Sequence, residues 1–142
     1  MSISPISALL GLLVVAGCCL AFWKGGPAER IGGGVILTNL VLLWFANLAN
    51  PTASSGVFGL VVDGLTALGL LIVVLRYGSL WLGGAMLLYA AQFMLHAFYF
   101  VTERPKDNLH ALINNTNFIG VMICLIFGTL LTWRRRTRSL SA

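Results

Sequence analysis

The sequence predicts an all-α, polytopic membrane protein: a compact bundle of five transmembrane helices with short loops, the N-terminus outside and the C-terminus in the cytoplasm. Of its 142 residues, 58% are hydrophobic and only 9% are charged, and the mean hydropathy is +0.93. Soluble domains carry about 25% charged residues, and a fold of this size has too little interior to hide so much apolar surface. The chain 1–142 is therefore expected to form one transmembrane domain with almost no soluble mass.

Helix-breaking residues divide the apolar sequence into its predicted spans. The turn Gly25-Gly26-Pro27 follows the first span, and the uncharged run 50–56, which contains Pro51, follows the second. The four residues 76–79 leave room only for a tight hairpin between antiparallel helices. The predicted spans are residues 3–23, 33–49, 57–75, 80–101 and 118–133, followed by a basic tail, 134–142.

Two stretches between the spans have their own predicted structures. Gly32-Gly33-Gly34 lacks the Lys-Ser or Lys-Thr of a phosphate-binding loop, so it is interpreted as a flexible start of the second helix. The mixed-charge loop 102–117 holds apolar residues at 109 and 111–113, which predicts a short helix on the membrane surface. The last span, 118–133, is the shortest, at about 24 Å by helical rise.

The distribution of basic residues predicts the orientation. One side of a five-span protein would carry seven basic residues and the other only Arg104 and Lys106. The positive-inside rule then places the N-terminus outside. The tail is expected to contact lipid headgroups rather than nucleic acid. The seven basic residues are Lys24, Arg30, Arg76, Arg134, Arg135, Arg136 and Arg138.

The fourth span carries a polar stripe. Tyr89, Gln92, His96, Tyr99 and Glu103 follow one another at intervals of three or four residues, so they share one face of a helix. Unpaired polar groups are costly in hydrocarbon, so this face should meet protein or water. The lipid-facing side is then expected around Leu87, Met94 and Phe98.

Asp63 and His96 are expected to form a pair inside the membrane. Asp63 lies about 9 Å from the outer start of the third span, and His96 lies about 8 Å from the outer end of the fourth. Ionisable residues inside spans are usually paired, and these two are the only candidates for each other. Asn47, Gln92, Tyr89 and Tyr99 are predicted to complete a polar intramembrane site.

The pattern leaves the role of this site open. A buried strut that fixes helix register, a polar vestibule for protons, ions or a small ligand, and a haem or quinone site all fit it. Haem ligation at His96 would need a second axial group, which His110 provides only if its loop folds inward.

The three cysteines, at 18, 19 and 124, have no metal-ligand spacing and are interpreted as buried packing residues, so no metal site is predicted. Cys18 also ends a sequence resembling a lipoprotein cleavage box, but no basic residue precedes it, which favours a retained helix.

No catalytic motif occurs in the sequence, so we expect the protein not to be an enzyme. The first functional hypothesis is a non-enzymatic accessory or structural subunit that packs against other membrane subunits or against copies of itself. The alternatives are a small transporter or proton- or ion-handling protein using Asp63 and His96, and a haem- or quinone-binding redox subunit. The expected location is a bacterial inner membrane.

Overall fold

The computed structural model describes residues 5–50, 56–105 and 107–140, and within these ranges all regular structure is helical. The five helices are listed here by their bounds: α1 Pro5–Lys24, α2 Pro27–Ala49, α3 Val57–Tyr77, α4 Leu80–Val101 and α5 Asn108–Leu140. Helices α2 to α5 are long and apolar enough to cross a membrane, and α1 contains a shorter apolar stretch, Leu9–Lys24. The sequence prediction of an all-helical membrane fold is thereby confirmed in its architecture.

Short glycine turns connect two of the helix pairs. A side chain at Gly25 would collide with the carbonyl oxygen of Ala21, 2.3 Å from the position of its Cβ, so α1 can turn this closely into α2 only at a glycine. Gly78 ends α3 with φ +61°, a left-handed conformation that other L-residues adopt at a cost of about 1–2 kcal/mol. Both turns therefore set neighbouring helices antiparallel.

The five helices form a closed ring. Each helix packs against the next in sequence, α1 packs against α5, and α2 also contacts α5 across the ring. The fully buried side chains lie where these helices meet, and each contributes apolar area to the protein interior. They include Val14, Ile36, Leu70, Leu82, Val121, Met122 and Leu125.

Small residues allow α5 to approach α4 closely. The ring of Trp81 lies directly on Gly128, where an added Cβ would come within 2.3 Å of it. Gly120 accommodates Leu88 in the same way, and Cys124 lies against Gly84. Gly120, Cys124 and Gly128 therefore form a face of small residues through which α5 packs on α4.

The second helix begins earlier than the sequence predicted. It starts at Pro27, in the first helical turn, where proline is favoured because it lacks an N–H that would have no partner there. The interpretation of Gly32-Gly33-Gly34 as a flexible helix start is wrong, since all three lie inside α2. A side chain at Gly32 would collide with Leu82, so this glycine serves helix packing.

The last helix also differs from the prediction. No separate surface helix precedes the fifth span, and α5 is one continuous helix of 33 residues, Asn108–Leu140. At 1.5 Å per residue it is about 50 Å long, which exceeds a hydrocarbon core of about 30 Å. The helix thus extends beyond the predicted span 118–133 at both ends, and the basic tail is helical to residue 140. The predicted loop residues 51–55, Lys106 and residues 1–4 and 141–142 lie outside the described part.

Candidate functional site

The four stripe residues that lie on α4 face the interior of the bundle, whereas Glu103 lies beyond the end of the helix and is exposed, so its predicted place on this face is wrong. Tyr89, Gln92 and Tyr99 are buried, and the side chain of His96 is 15% exposed. The opposite side of the helix is exposed, as predicted, at Leu87, Met94 and Phe98. Burial of the stripe side chains keeps their polar groups out of the hydrocarbon, where polar groups without hydrogen-bond partners are costly.

Asp63 and His96 lie in direct contact. The Nδ1 atom of His96 is 2.6 Å from Oδ2 of Asp63, and the Asp63 side chain is only 1% exposed. Helices α3 and α4 are antiparallel neighbours joined by a two-residue turn, which brings these positions to the same depth. When the carboxylate is ionised, the donor in this contact is the Nδ1–H of His96, and Nε2 lies on the other side of the ring.

A second helix completes the hydrogen bonds of the carboxylate. Nδ2 of Asn39, on α2, donates to Oδ1 of Asp63 at 3.1 Å and to Oγ1 of Thr66 at 2.9 Å. Thr66 in turn donates to the carbonyl oxygen of Val62 at 2.7 Å. Sequence reasoning assigned this place to Asn47, which lies eight residues further along α2, about 12 Å by helical rise. The residue that holds Asp63 from α2 is Asn39.

His110 joins the site from α5. Its ring stacks on that of His96 with centroids 5.2 Å apart and planes within 15° of parallel, and Tyr99 meets it edge-on at 4.8 Å. Oδ1 of Asp107 accepts from the Tyr99 hydroxyl at 2.7 Å and from the backbone N–H of His110 at 2.8 Å. Asp107 is thus the N-cap of α5 and fixes His110 beside His96.

Gln92 and Tyr89 lie deeper in the bundle than His96. The packing of Gly120 against Leu88 and of His110 against Tyr99 places Asn117 of α5 at the level of Gln92. Nδ2 of Asn117 is buried and has no hydrogen-bond partner among the described residues. These side chains line the same interior as the pair, without a hydrogen bond to Asp63 in the described part of the chain.

A second polar cluster lies at the opposite end of the bundle, around Glu29. The buried carboxylate accepts from the N–H of Gly26 at 2.8 Å, from Nε1 of Trp81 at 3.1 Å and from Oγ1 of Thr132 at 2.7 Å. These bonds join α2, α4 and α5. Sequence reasoning missed this residue, although Pro27 followed by a glutamate two residues later is the pattern of a capped helix start.

The remaining predicted residues lie away from both clusters. Arg134, Arg135, Arg136 and Arg138 are exposed on the last turns of α5. Cys18 is buried, and its Sγ lies 3.4 Å from the carbonyl oxygen of Gly33, which ties α1 to α2. Cys124 is half-buried, whereas Cys19 is exposed, so the expectation that all three cysteines are buried is wrong for Cys19.

The histidine geometry does not suit a shared haem iron. Two axial histidines must direct a nitrogen of each ring at one metal from opposite sides, whereas His96 and His110 lie face to face with nearly parallel planes. Nδ1 of His96 is also engaged with Asp63. Within the described residues, no three His, Cys, Asp or Glu side chains are grouped so as to hold a metal ion.

The fold and this site define a class: a small helical membrane protein with a buried carboxylate–imidazole pair between its helices. Comparison with protein-family models, with curated proteins and with solved structures finds no match to the chain.

Proposed function

We propose that this chain is a non-enzymatic membrane protein that takes up and releases protons at the Asp63–His96 pair. The observation that carries the proposal is the 2.6 Å contact between a fully buried carboxylate and a half-buried imidazole. An ionisable residue inside a span is costly and is most often retained for function. Histidine is also the side chain whose ordinary titration range lies nearest neutral pH.

The route for the proton runs toward the α4–α5 loop. His96 is the more exposed member of the pair, and its ring stacks on His110, which Asp107 fixes at the start of α5. A proton added at Nε2 of His96 allows the Nδ1 proton to pass to Asp63, and the reverse sequence releases it. After uptake the imidazole carries its proton on Nε2, and release returns it to the tautomer with the proton on Nδ1.

The network around the carboxylate suits such an exchange. Asn39 holds Oδ1 of Asp63 from α2, which leaves Oδ2 directed at His96. The carboxylate therefore keeps one hydrogen bond and one orientation whether or not it carries a proton. A change in the protonation of Asp63 therefore affects α2, α3 and α4 together, because the three helices share this hydrogen-bond network.

Infrared difference spectroscopy of the protein in liposomes tests the proposal. A pH step should change the carboxyl C=O band of Asp63 together with the imidazole bands of His96. Asp63→Asn should remove the carboxyl signal and His96→Gln should shift its pH dependence, while Glu103→Gln, at an exposed position in the α4–α5 loop, should leave both unchanged. A wild-type spectrum without a pH-dependent buried carboxyl band would exclude proton uptake at this site.

A second candidate is the accessory subunit, and one feature of α5 favours it. Asn114 and Asn115 are half-buried on the second turn of α5. Polar groups at that depth are costly against lipid, and a helix of another subunit would cover them. Native mass spectrometry of the protein from mild detergent tests this: a stoichiometric second chain or a second copy supports it, and monomers alone contradict it.

A further inference from the structure

A cleft of about 750 Å³ opens on the bundle beside the Glu29 cluster, at the opposite end from the Asp63–His96 pair. It lies between the start of α2, the α3–α4 turn, α4 and α5. Its walls are mainly apolar, and basic side chains stand at its mouth. Its lining includes Trp81, Ile123, Phe127, Leu131, Arg135 and Arg136.

We propose that this cleft binds one phospholipid with an anionic headgroup. On α5, Ile123, Phe127, Leu131 and Arg135 follow one another at four-residue intervals along the cleft, so three apolar side chains lead to a guanidinium. The distance from the first to the last is about 18 Å by helical rise. This face is complementary to an anionic lipid, because it is apolar along its length and cationic at one end.

Charge at the mouth of the cleft favours an anion. Arg135 and Arg136 are exposed and form no ion pair within the described part of the chain. The carboxylate of Glu29 also lines the cleft, and it is held by three donors of the protein, the N–H of Gly26, Nε1 of Trp81 and Oγ1 of Thr132. A phosphate group between the two guanidinium groups would receive charge-assisted hydrogen bonds from both.

The cleft holds about 750 Å³. The volume lies within the range of about 300–1,000 Å³ that is typical of small-molecule sites. A flexible acyl chain fits such a space.

The test uses Trp81 as the reporter, since its ring lines the cleft and is fixed on Gly128. The full chain with its other three tryptophans changed to phenylalanine is placed in mixed micelles with bromine-labelled phospholipids, which quench indole fluorescence at contact. We expect saturable quenching by an anionic lipid at mole fractions where a zwitterionic lipid of the same tails quenches weakly. Wild-type chain analysed by native mass spectrometry should retain one anionic lipid.

A matched pair of variants separates a site from general attraction to the basic tail. Arg135→Gln with Arg136→Gln should weaken binding of the anionic lipid by about 30-fold, the equivalent of about 1 kcal/mol for each arginine. Arg134→Gln with Arg138→Gln removes the same charge outside the cleft and should preserve the preference. Equal quenching by both lipids, equal losses in the two variants, or a second copy of the chain occupying the cleft in crosslinking would each overturn the proposal.

Discussion

The imidazole of His110 lies on that of His96, with ring centroids 5.2 Å apart, although the two residues belong to different helices. This contact extends the buried Asp63–His96 pair toward the loop between α4 and α5. It forms because α5 begins at Asn108, directly after its N-cap Asp107, so that His110 is already helical beside α4. The first turn of α5 is therefore part of the candidate site.

Asp63 and His96 should be energetically coupled. Removing either partner leaves a buried polar group unsatisfied, which costs about 1–3 kcal/mol. Measured couplings between hydrogen-bonded side chains in membranes average about 0.6 kcal/mol, so the interaction energy should lie near or above that value. A double-mutant cycle with Asp63→Asn and His96→Gln, read as free energies of unfolding in detergent, measures it. Strict additivity would mean that the two side chains do not interact.

Loss of the Glu29 carboxylate should destabilise the opposite end of the bundle. Glu29→Ala leaves Nε1 of Trp81, Oγ1 of Thr132 and the N–H of Gly26 without their acceptor, at a cost of about 1–3 kcal/mol or more. Glu29→Gln keeps one acceptor oxygen and should lose less. The free energy of unfolding and the emission wavelength of Trp81 report the effect, with Glu103→Gln as an exposed control. Equal stability of Glu29→Ala and this control would contradict the described bonds.

The sequence predicted the helical membrane architecture because its signals are long and repeated. Apolar runs of about twenty residues, glycine turns and a polar stripe at helical spacing each reflect many residues at once. The matched depth of Asp63 and His96 followed from a tight turn between two such runs, so their pairing could be expected.

The rest of the site depends on signals that were weak or local. Glu29 and His110 were assigned to loops, since charged and polar residues interrupt the apolar pattern there. A stripe at seven-residue intervals, His110, Asn117 and Cys124, could have indicated that α5 is continuous. Whether Asn39 or Asn47 bonds to Asp63 depends on the position of α2 along α3. Tertiary packing determines this position, and the local sequence does not.

Replacement of Gly128 by alanine should destabilise the contact between α4 and α5. The new Cβ would lie 2.3 Å from the ring of Trp81, and that ring is held by its bond to Glu29. Overpacking of this kind costs about 1–3 kcal/mol. Gly83→Ala is the matched control, because its Cβ meets nothing within 4 Å and alanine favours a helix by roughly 0.5–1 kcal/mol. Thermal midpoints in detergent should therefore move in opposite directions.

Protonation of Asp107 should lower the thermal stability of the protein at acidic pH. The backbone N–H of His110 and then the Tyr99 hydroxyl stabilise its charged form, which lowers the pKa of Asp107 below the usual value of about 3.9. Because this pKa is lowered in the folded state, the Asp107 carboxylate contributes its full stabilisation of the fold above the unfolded pKa. This stabilisation is lost as the pH falls through the folded pKa. Thermal midpoints from about pH 6 to pH 2 should decline less in Asp107→Asn than in wild type, since asparagine still caps the helix without titrating there. An identical decline in both would mean that Asp107 does not cause it.

The last prediction concerns orientation and the number of spans. Seven basic residues against two predict that Ser2 is outside, the α4–α5 loop is outside and Ser141 is in the cytoplasm. Single cysteines at Ser2, Glu103 and Ser141, in a chain with Cys18, Cys19 and Cys124 changed to alanine, report this through an impermeant thiol reagent added to intact cells. Labelling of positions 2 and 103 with protection of 141 would agree with five crossings. Helix α1 decides the outcome, because α2 to α5 alone would leave both termini on the same side of the membrane. Protection of position 2 together with 141, while 103 is labelled, would mean that α1 does not cross and that four helices span the membrane. Labelling of 141 with protection of 103 would reverse the orientation, and the distribution of arginines would then not determine it.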